Sequence, residues 1–334
     1  MHQKAFASRK DDERWREMAT HFSVQSRSLE NFEELKRVVQ SARTEITQVD
    51  RGRIQGNLSH LVIGDLPLDL GTFSLGVRSR GIVSEDRITI GMLTACNNRV
   101  THWSHEMLPA DVVVWPPGAE HDARYYGGAS VAVISLDASD IDLIFGSEPR
   151  LRDFGVWTKS HYRPDPNAGA DVIGNLHAIA AGLHASGIGL SAEAAEFWKR
   201  TIVDTIASTI LENSPSDRDG PIPSALRIVK KVEDYINTTG QKPVHISEIC
   251  NRLHVSRRTL HRAFHNAIGI GPVSFLCYKR LCSVNSALRS SDPATTTIGA
   301  VALQYGFINL GRFSGYYHSL FDEYPSQTLA ARAD

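Results

Sequence analysis

The last hundred residues state one pattern twice, and few folds can accommodate it. Ile249 and Leu253 stand four apart, on one face of a helix. His254-Val255 interrupts that face, Ser256 can cap a new helix, and Leu260 and Phe264 are again four apart. Gly269 supplies a helix stop and Pro272 can open the next helix. Thr297 then reads as the cap before Ile298, Val301 and Ala302, and Gly306 suits a left-handed turn. Asn309 caps a helix with Phe313, Tyr317 and Leu320 inward. Between the two units, Pro272 to about Arg289 reads as one helix, ~27 Å long at 1.5 Å per residue. Each unit is a helix, a tight turn and a second helix, and the connecting helix fixes the spacing of the pair.

The outer face of the second helix in the first unit is cationic. Leu260 and Phe264 pin one side, while Ser256, Arg257, Arg258, His261, Arg262 and His265 are left to the other. Long donors on the first turns of an anchored helix suit base edges and phosphates in a major groove. In the second unit the corresponding polar residues are Asn309, Arg312, Ser314 and His318. Two such helices about 34 Å apart can enter successive major grooves. Charge runs the same way. From Pro221 onward there are 13 Lys and Arg against 7 Asp and Glu, whereas residues 1–220 hold 23 against 30. A basic end beside an acidic remainder suits contact with a polyanion.

The run CNRLHVSRRTLHRAFHNAIGIGP, followed by Ile298…Gly306-Phe307 and Phe313…Phe321…Pro325-Ser326, resembles the AraC/XylS family of bacterial transcription regulators. The first run is also similar to the subgroup containing the ethanolamine-operon regulator. The resemblance covers about 110 residues. It implies a small-molecule-responsive activator with an N-terminal effector and dimerisation domain, and RNA polymerase as a partner. By motif position it puts base readers on Arg258, His261 and Arg262, and in the second unit on Leu310, Gly311, Ser314 and Gly315. Long donors are often found at those second-unit positions, so the second unit is expected to dock on backbone and shape more than on bases.

Upstream the organisation differs. Residues 1–43 are expected to be a frayed polar segment (1–27) followed by a helix capped by Ser28. From 44 to 145 the apolar period is two: Ile88 and Ile90 flank Thr89, and Val112-Val113-Val114-Trp115 stops at Pro116-Pro117-Gly118. Phe73, Leu75 and Val77 are read as one face of a single strand. Many short strands with Gly and Pro punctuation predict a sandwich or barrel. Residues 146–212 return to helix, with Ile173, Leu176 and Ile179 on one stripe and Phe197, Ile202 and Ile206 on another. Residues 213–223, rich in Ser, Asp and Pro, read as a linker to a DNA-binding domain spanning 224–334. The predicted class is α+β: a cupin-like β-sandwich or barrel with flanking helices, then an all-α domain of two helix-turn-helix units. Surplus apolar surface on the two stripes predicts a homodimer.

Within the β-domain, Arg51-Gly-Arg53 and Arg78-Ser-Arg80 place guanidinium groups in pairs on one side of their segments. Convergence of Arg51, Arg53, Arg78 and Arg80 predicts an effector site for a phosphate- or carboxylate-bearing molecule such as a nucleotide. The alternative is a solvated strand face with nearby carboxylates. His102, His105, Glu106 and His121 invite a metal reading. Their His-x-x-His-Glu spacing departs from the His-x-His of cupin enzymes, and residues three apart on a strand face opposite sides. No metal, cofactor or catalytic site is therefore expected. The competing classes are a cupin-type metalloenzyme fused to a DNA-binding tail, which bound metal would favour, and an architectural DNA binder without a pocket. The four cysteines form no C-x-x-C pair, the N-terminus has no apolar leader core, and no apolar run approaches ~18 residues. A reduced, cytoplasmic protein is the expectation.

Overall fold

A computed structural model describes residues 21–39, 43–137, 140, 161–186, 190–213, 222–240 and 242–331. Twelve strands and ten helices lie within them. Strands β1 (Phe22–Leu29), β3 (Gly56–Ile63), β4 (Leu66–Phe73), β6 (Ile88–Cys96), β9 (Val112–Trp115), β11 (Ala129–Leu136) and β12 (His161–Tyr162) form one antiparallel sheet, ordered β1-β3-β4-β11-β6-β9-β12. Strands β2 (Arg43–Gln48), β5 (Val77–Ile82), β7 (Val100–His102), β8 (His105–Met107) and β10 (Glu120–Tyr125) form the other, ordered β2-β5-β10-β7-β8.

Alternation gives each face of the larger sheet a different task. Ile88, Ile90 and Met92 of β6, Ala132, Ile134 and Leu136 of β11, and Val112 and Val114 of β9 pack against helices α2 (Pro166–Ser186) and α3 (Ala192–Glu212). Leu176, Ile202 and Ile206 are fully buried there, so most of the two helical stripes is consumed within the chain, while Phe197 stays exposed. The intervening residues, among them Thr89, Gly91, Val113 and Val133, turn toward the smaller sheet.

Two early expectations are corrected. Residues 22–29 are a strand paired with β3, and the helix that follows, α1 (Phe32–Val39), is capped by Asn31 and not by Ser28. Asn31 Oδ1 accepts from the Glu34 amide at 3.1 Å, and the Glu34 carboxylate accepts from the Glu30 amide at 2.6 Å. Phe73, Leu75 and Val77 do not share a strand, since Ser74–Gly76 turns the chain from β4 into β5.

In the C-terminal unit the local signals and the helices agree. Helices α4 (Ser224–Thr238), α5 (Ile246–Leu253), α6 (Arg257–Ile268), α7 (Pro272–Ser290), α8 (Ile298–Gln304), α9 (Leu310–Phe321) and α10 (Pro325–Ala330) follow in order. Ser256, Thr297 and Asn309 each accept the amide three residues on, closing α6, α8 and α9. Gly269 ends α6 at φ 76°. Most of the expected 213–223 linker lies outside the described residues.

Candidate nucleic-acid interface and its attachment to the β-domain

Helix α6 is anchored by Leu260, Ala263, Phe264, Ala267 and Ile268, all buried, and Phe264 meets Phe275 of α7 at 5.5 Å between centroids. That leaves Ser256, Arg257, Arg258, His261, Arg262 and His265 exposed on one surface. No acidic residue lies in the first turn of α6, so its positive end and its arginines add in sign. In α9, Phe313, Tyr317, Leu320 and Phe321 are buried, while Asn309, Leu310, Gly311, Arg312 and Gly315 are exposed. Ser314 is half-buried. His318, grouped with the exposed set from sequence, instead packs on Tyr324 at 4.3 Å between centroids, and its Nδ1 is buried. A polar chain fixes α9 to its neighbours. Asn285 Nδ2 donates to Tyr317 Oη at 2.7 Å, Tyr317 Oη donates to Thr328 Oγ1 at 2.8 Å, and Arg289 pairs with Glu323 at 3.0 Å. Helix α7, 19 residues long and so ~28 Å, joins the two units.

The outer face of the smaller sheet is polar, and the helical unit covers it. Arg78 of β5 is 2% exposed. It donates through both terminal nitrogens to Asp122 of β10, at 3.0 and 2.8 Å, and through Nε and Nη2 to Glu233 of α4, each at 2.8 Å. Arg80 reaches Asp234 at 2.5 Å and Glu233 at 3.6 Å. Lys230 of α4 pairs with Glu120, and Lys279 of α7 with Glu45 at 2.6 Å. For Arg78, Asp122 and Glu233 desolvation is the largest influence and opposes the charge on each. For Glu233 the Arg78 guanidinium overcomes burial and holds the carboxyl below its usual range. Asp122 is raised by burial, with Glu233 adding to the rise. Arg78, with two carboxylates on one fork, stays fully ionised.

Arg124, two residues along β10, grips the far end of α6. Its Nε donates to the Ile268 carbonyl at 3.3 Å, Nη2 pairs with Asp50 at 3.1 Å, and the guanidinium stacks on Tyr126 at 4.3 Å. The Tyr126 ring lies against Gly269, where a Cβ would fall 2.9 Å from it. The second unit is held as well. Gln48 Nε2 and the Gly52 amide both donate to the Leu320 carbonyl, at 2.7 and 3.0 Å, and Phe32 of α1 packs on Phe321 at 6.0 Å.

These contacts correct the four-arginine effector site. Arg78 and Arg80 share Glu233 and face α4. Exposed Arg51 donates to Tyr278 Oη at 3.4 Å, and exposed Arg53 donates to the Glu30 carbonyl at 2.9 Å. No partner is common to the two pairs, and carboxylates of this chain already neutralise the buried one. Alternation along β5 and β10 did carry the signal: charged residues at 78, 80, 122 and 124 alternate with Ser79, His121 and Ala123.

Between the sheets lies a cavity of about 250 Å³, walled by residues that include Phe73, Leu93, Val113, Val133 and Tyr125. Its polar end holds His102, His121 and Trp115, with centroids 5.4 Å apart for the two imidazoles and 5.7 and 5.3 Å from each to the indole. The Trp115 ring lies against Gly91, where a Cβ would fall 2.6 Å from Cζ3. His102 also pairs in register with His105 across β7 and β8. Among the described residues no three His, Cys, Asp or Glu side chains are grouped to hold a metal ion.

Residues 249–331 match the family model described as a helix-turn-helix domain. That span of the C-terminal unit is a helix-turn-helix domain. The chain is 31% identical over 109 residues to the "Probable thc operon regulatory protein" of Rhodococcus erythropolis, a match that covers 33% of each chain. Similarity to the XylDLEGF operon transcriptional activator 1 of Pseudomonas putida runs beyond that domain, at 24% identity over 291 residues, 83% of this chain and 85% of the relative. Among solved structures, the AraC-like transcriptional activator CuxR matches 78% of this chain and 94% of its own, at 14% identity and a TM-score of 0.41. No described helix is long and apolar enough to cross a membrane.

Proposed function

We propose that this chain is an effector-responsive, sequence-specific DNA-binding transcription activator. Helices α6 and α9 enter successive major grooves, and RNA polymerase is the partner that the family resemblance supplies. The observation that carries the reading is the exposed face of α6, where four cationic or imidazole side chains at 258, 261, 262 and 265 project from a helix buried on its other side. The covered sheet supports the regulatory half of the reading. Strands β5 and β10 present Ser79, His121 and Ala123 to the cavity and Arg78, Asp122 and Arg124 to the helical unit, so an occupant on one face bears on the other. The narrower kinship with ethanolamine-operon regulators rests on residues 250–272 alone.

Selection of binding sites from random DNA, followed by footprinting, tests the function. Enrichment of a two-part site with its halves about one helical turn apart is expected, and recovery of unenriched sequence would refute it. On that site, Arg258→Ala or Arg262→Ala is expected to cost about 1–3 kcal/mol and to relax preference at one base position. An equal loss on random DNA would reduce the residue to a phosphate contact.

Phe197, exposed on α3 beside Trp198, leaves an apolar patch on the helical layer and supports a homodimer. Sedimentation at micromolar concentration is expected to give a dimer. A monomer with and without operator would exclude it.

A further inference from the structure

The cavity between the sheets is not uniformly apolar, and its unpaired atoms specify what fits it. His102 is 4% exposed and His121 8% exposed. His102 Nε2, His121 Nδ1 and Trp115 Nε1 are buried and have no hydrogen-bond partner among the described residues. All three side chains line the same end of one cavity. Leaving three such atoms dry is costly, and native interiors rarely do so without a ligand or water to meet them.

We infer that the cavity binds a single-ring molecule carrying one uncharged oxygen group, a hydroxyl or a carbonyl, which sits between Trp115, His102 and His121. The inference rests on the reading of the β-domain as the effector-sensing half. Size comes first. A dry cavity of about 150 Å³ suffices for benzene, so about 250 Å³ takes a ring with short substituents. Phe73, Tyr125 and the Trp115 indole give it aromatic walls. The head group follows from donor count. Indole Nε1–H can only donate, and a neutral imidazole can donate or accept according to its tautomer. An oxygen placed among them accepts from Trp115 and exchanges a second bond with an imidazole.

Charge decides against an anion. Burial lowers the His102 imidazole well below its ordinary value and His121 to about 4, so neither brings a proton to pair with a carboxylate. Arg78, the cation whose charge is felt at His121, points from the opposite face of β5 and is occupied by Asp122 and Glu233. A carboxylate would enter with no countercharge at that end. Ser79 Oγ lies 3.2 Å from His121 Nε2, which leaves the other ring nitrogen of His121 for the ligand.

The test uses the full chain with p-cresol, toluene and benzoate, comparing thermal shifts and dissociation constants. p-Cresol is expected to raise the melting temperature, toluene to bind roughly tenfold more weakly, and benzoate to bind more weakly still at pH 7.5. Trp115→Phe keeps the ring wall and loses the donor. It is expected to weaken p-cresol about tenfold and to leave toluene unchanged. Should that variant fold poorly, the wild-type indole N–H resonances provide the second readout, with one of the five shifting on p-cresol addition. Equal affinity for toluene and p-cresol, tighter binding of benzoate, or p-cresol binding with every indole resonance still would overturn the inference. Operator footprinting on the same samples separates the two readings. Absence of a footprint counts against DNA recognition, whereas an intact footprint without p-cresol binding counts against this site alone.

Discussion

Arg78→Met is expected to lower the unfolding free energy by about 3–5 kcal/mol. The size follows from what stays behind. Asp122 is 2% exposed and Glu233 4% exposed, and without the guanidinium both are buried carboxylates, with Lys279 and Arg80 left to act on Glu233 and Arg80 on Asp122. Desolvation then raises Glu233 as well as Asp122, which burial already raises in the wild type, and the sign of the Glu233 contribution inverts. In the wild type, the lowered Glu233 carboxyl contributes stability that is present above its unfolded value near 4.3 and is lost as pH falls through its folded value. In the variant the same groups, with folded values above unfolded ones, favour the native state at low pH and lose that contribution as pH rises. The gap between the two proteins is therefore expected to narrow from pH 7.5 toward pH 5. Denaturant melts across that range measure it, and a gap that is constant or widens on acidification would refute the account. Because Glu233 belongs to α4, faster amide exchange in that helix is a second expected result.

Ser283→Pro is expected to cost about 3 kcal/mol and to reduce operator protection from two half-sites to one. Ser283 stands mid-way along α7 among Cys282, Val284 and Asn285, all buried. Proline there removes the helical bond from the Ser283 amide and drives its ring into the Lys279 carbonyl, one turn back. Lys279 itself holds Glu45 of β2, so the kink also loosens the helical unit from the sheet. The measurement is footprint length on folded protein, normalised by the melt. A full-length footprint at wild-type affinity would mean that α6 and α9 do not act as one rigid pair.

The helical unit was readable because its determinants are local. A cap is a side chain bonding an amide three residues on, as at Ser256, Thr297 and Asn309, and a stop is one residue's φ, as at Gly269. Apolar pairs four apart then settle which side of α6 is buried, and so which arginines are exposed. The strand 22–29 had no such signal. It is an edge strand with mostly solvent-facing side chains, defined by pairing with β3, which begins at Gly56.

Two other features also needed the tertiary structure. Alternation along β5 and β10 marks Arg78, Arg80, Asp122 and Arg124 as belonging to one face, but it does not say what lies opposite. The sequence reading supplied an anionic effector, whereas the fold supplies Glu233, 155 residues away in the chain. The cavity is likewise a property of two sheets facing each other. The Trp115 indole takes the room that Gly91 leaves, and only the opposing sheet encloses the space that ends in Trp115, His102 and His121. Backbone conformation is decided within a few residues, so sequence by itself determined the helix-turn-helix pair. Solvation of a charge or a void is decided by whatever the fold brings against it, and that depends on contacts spread over the whole chain.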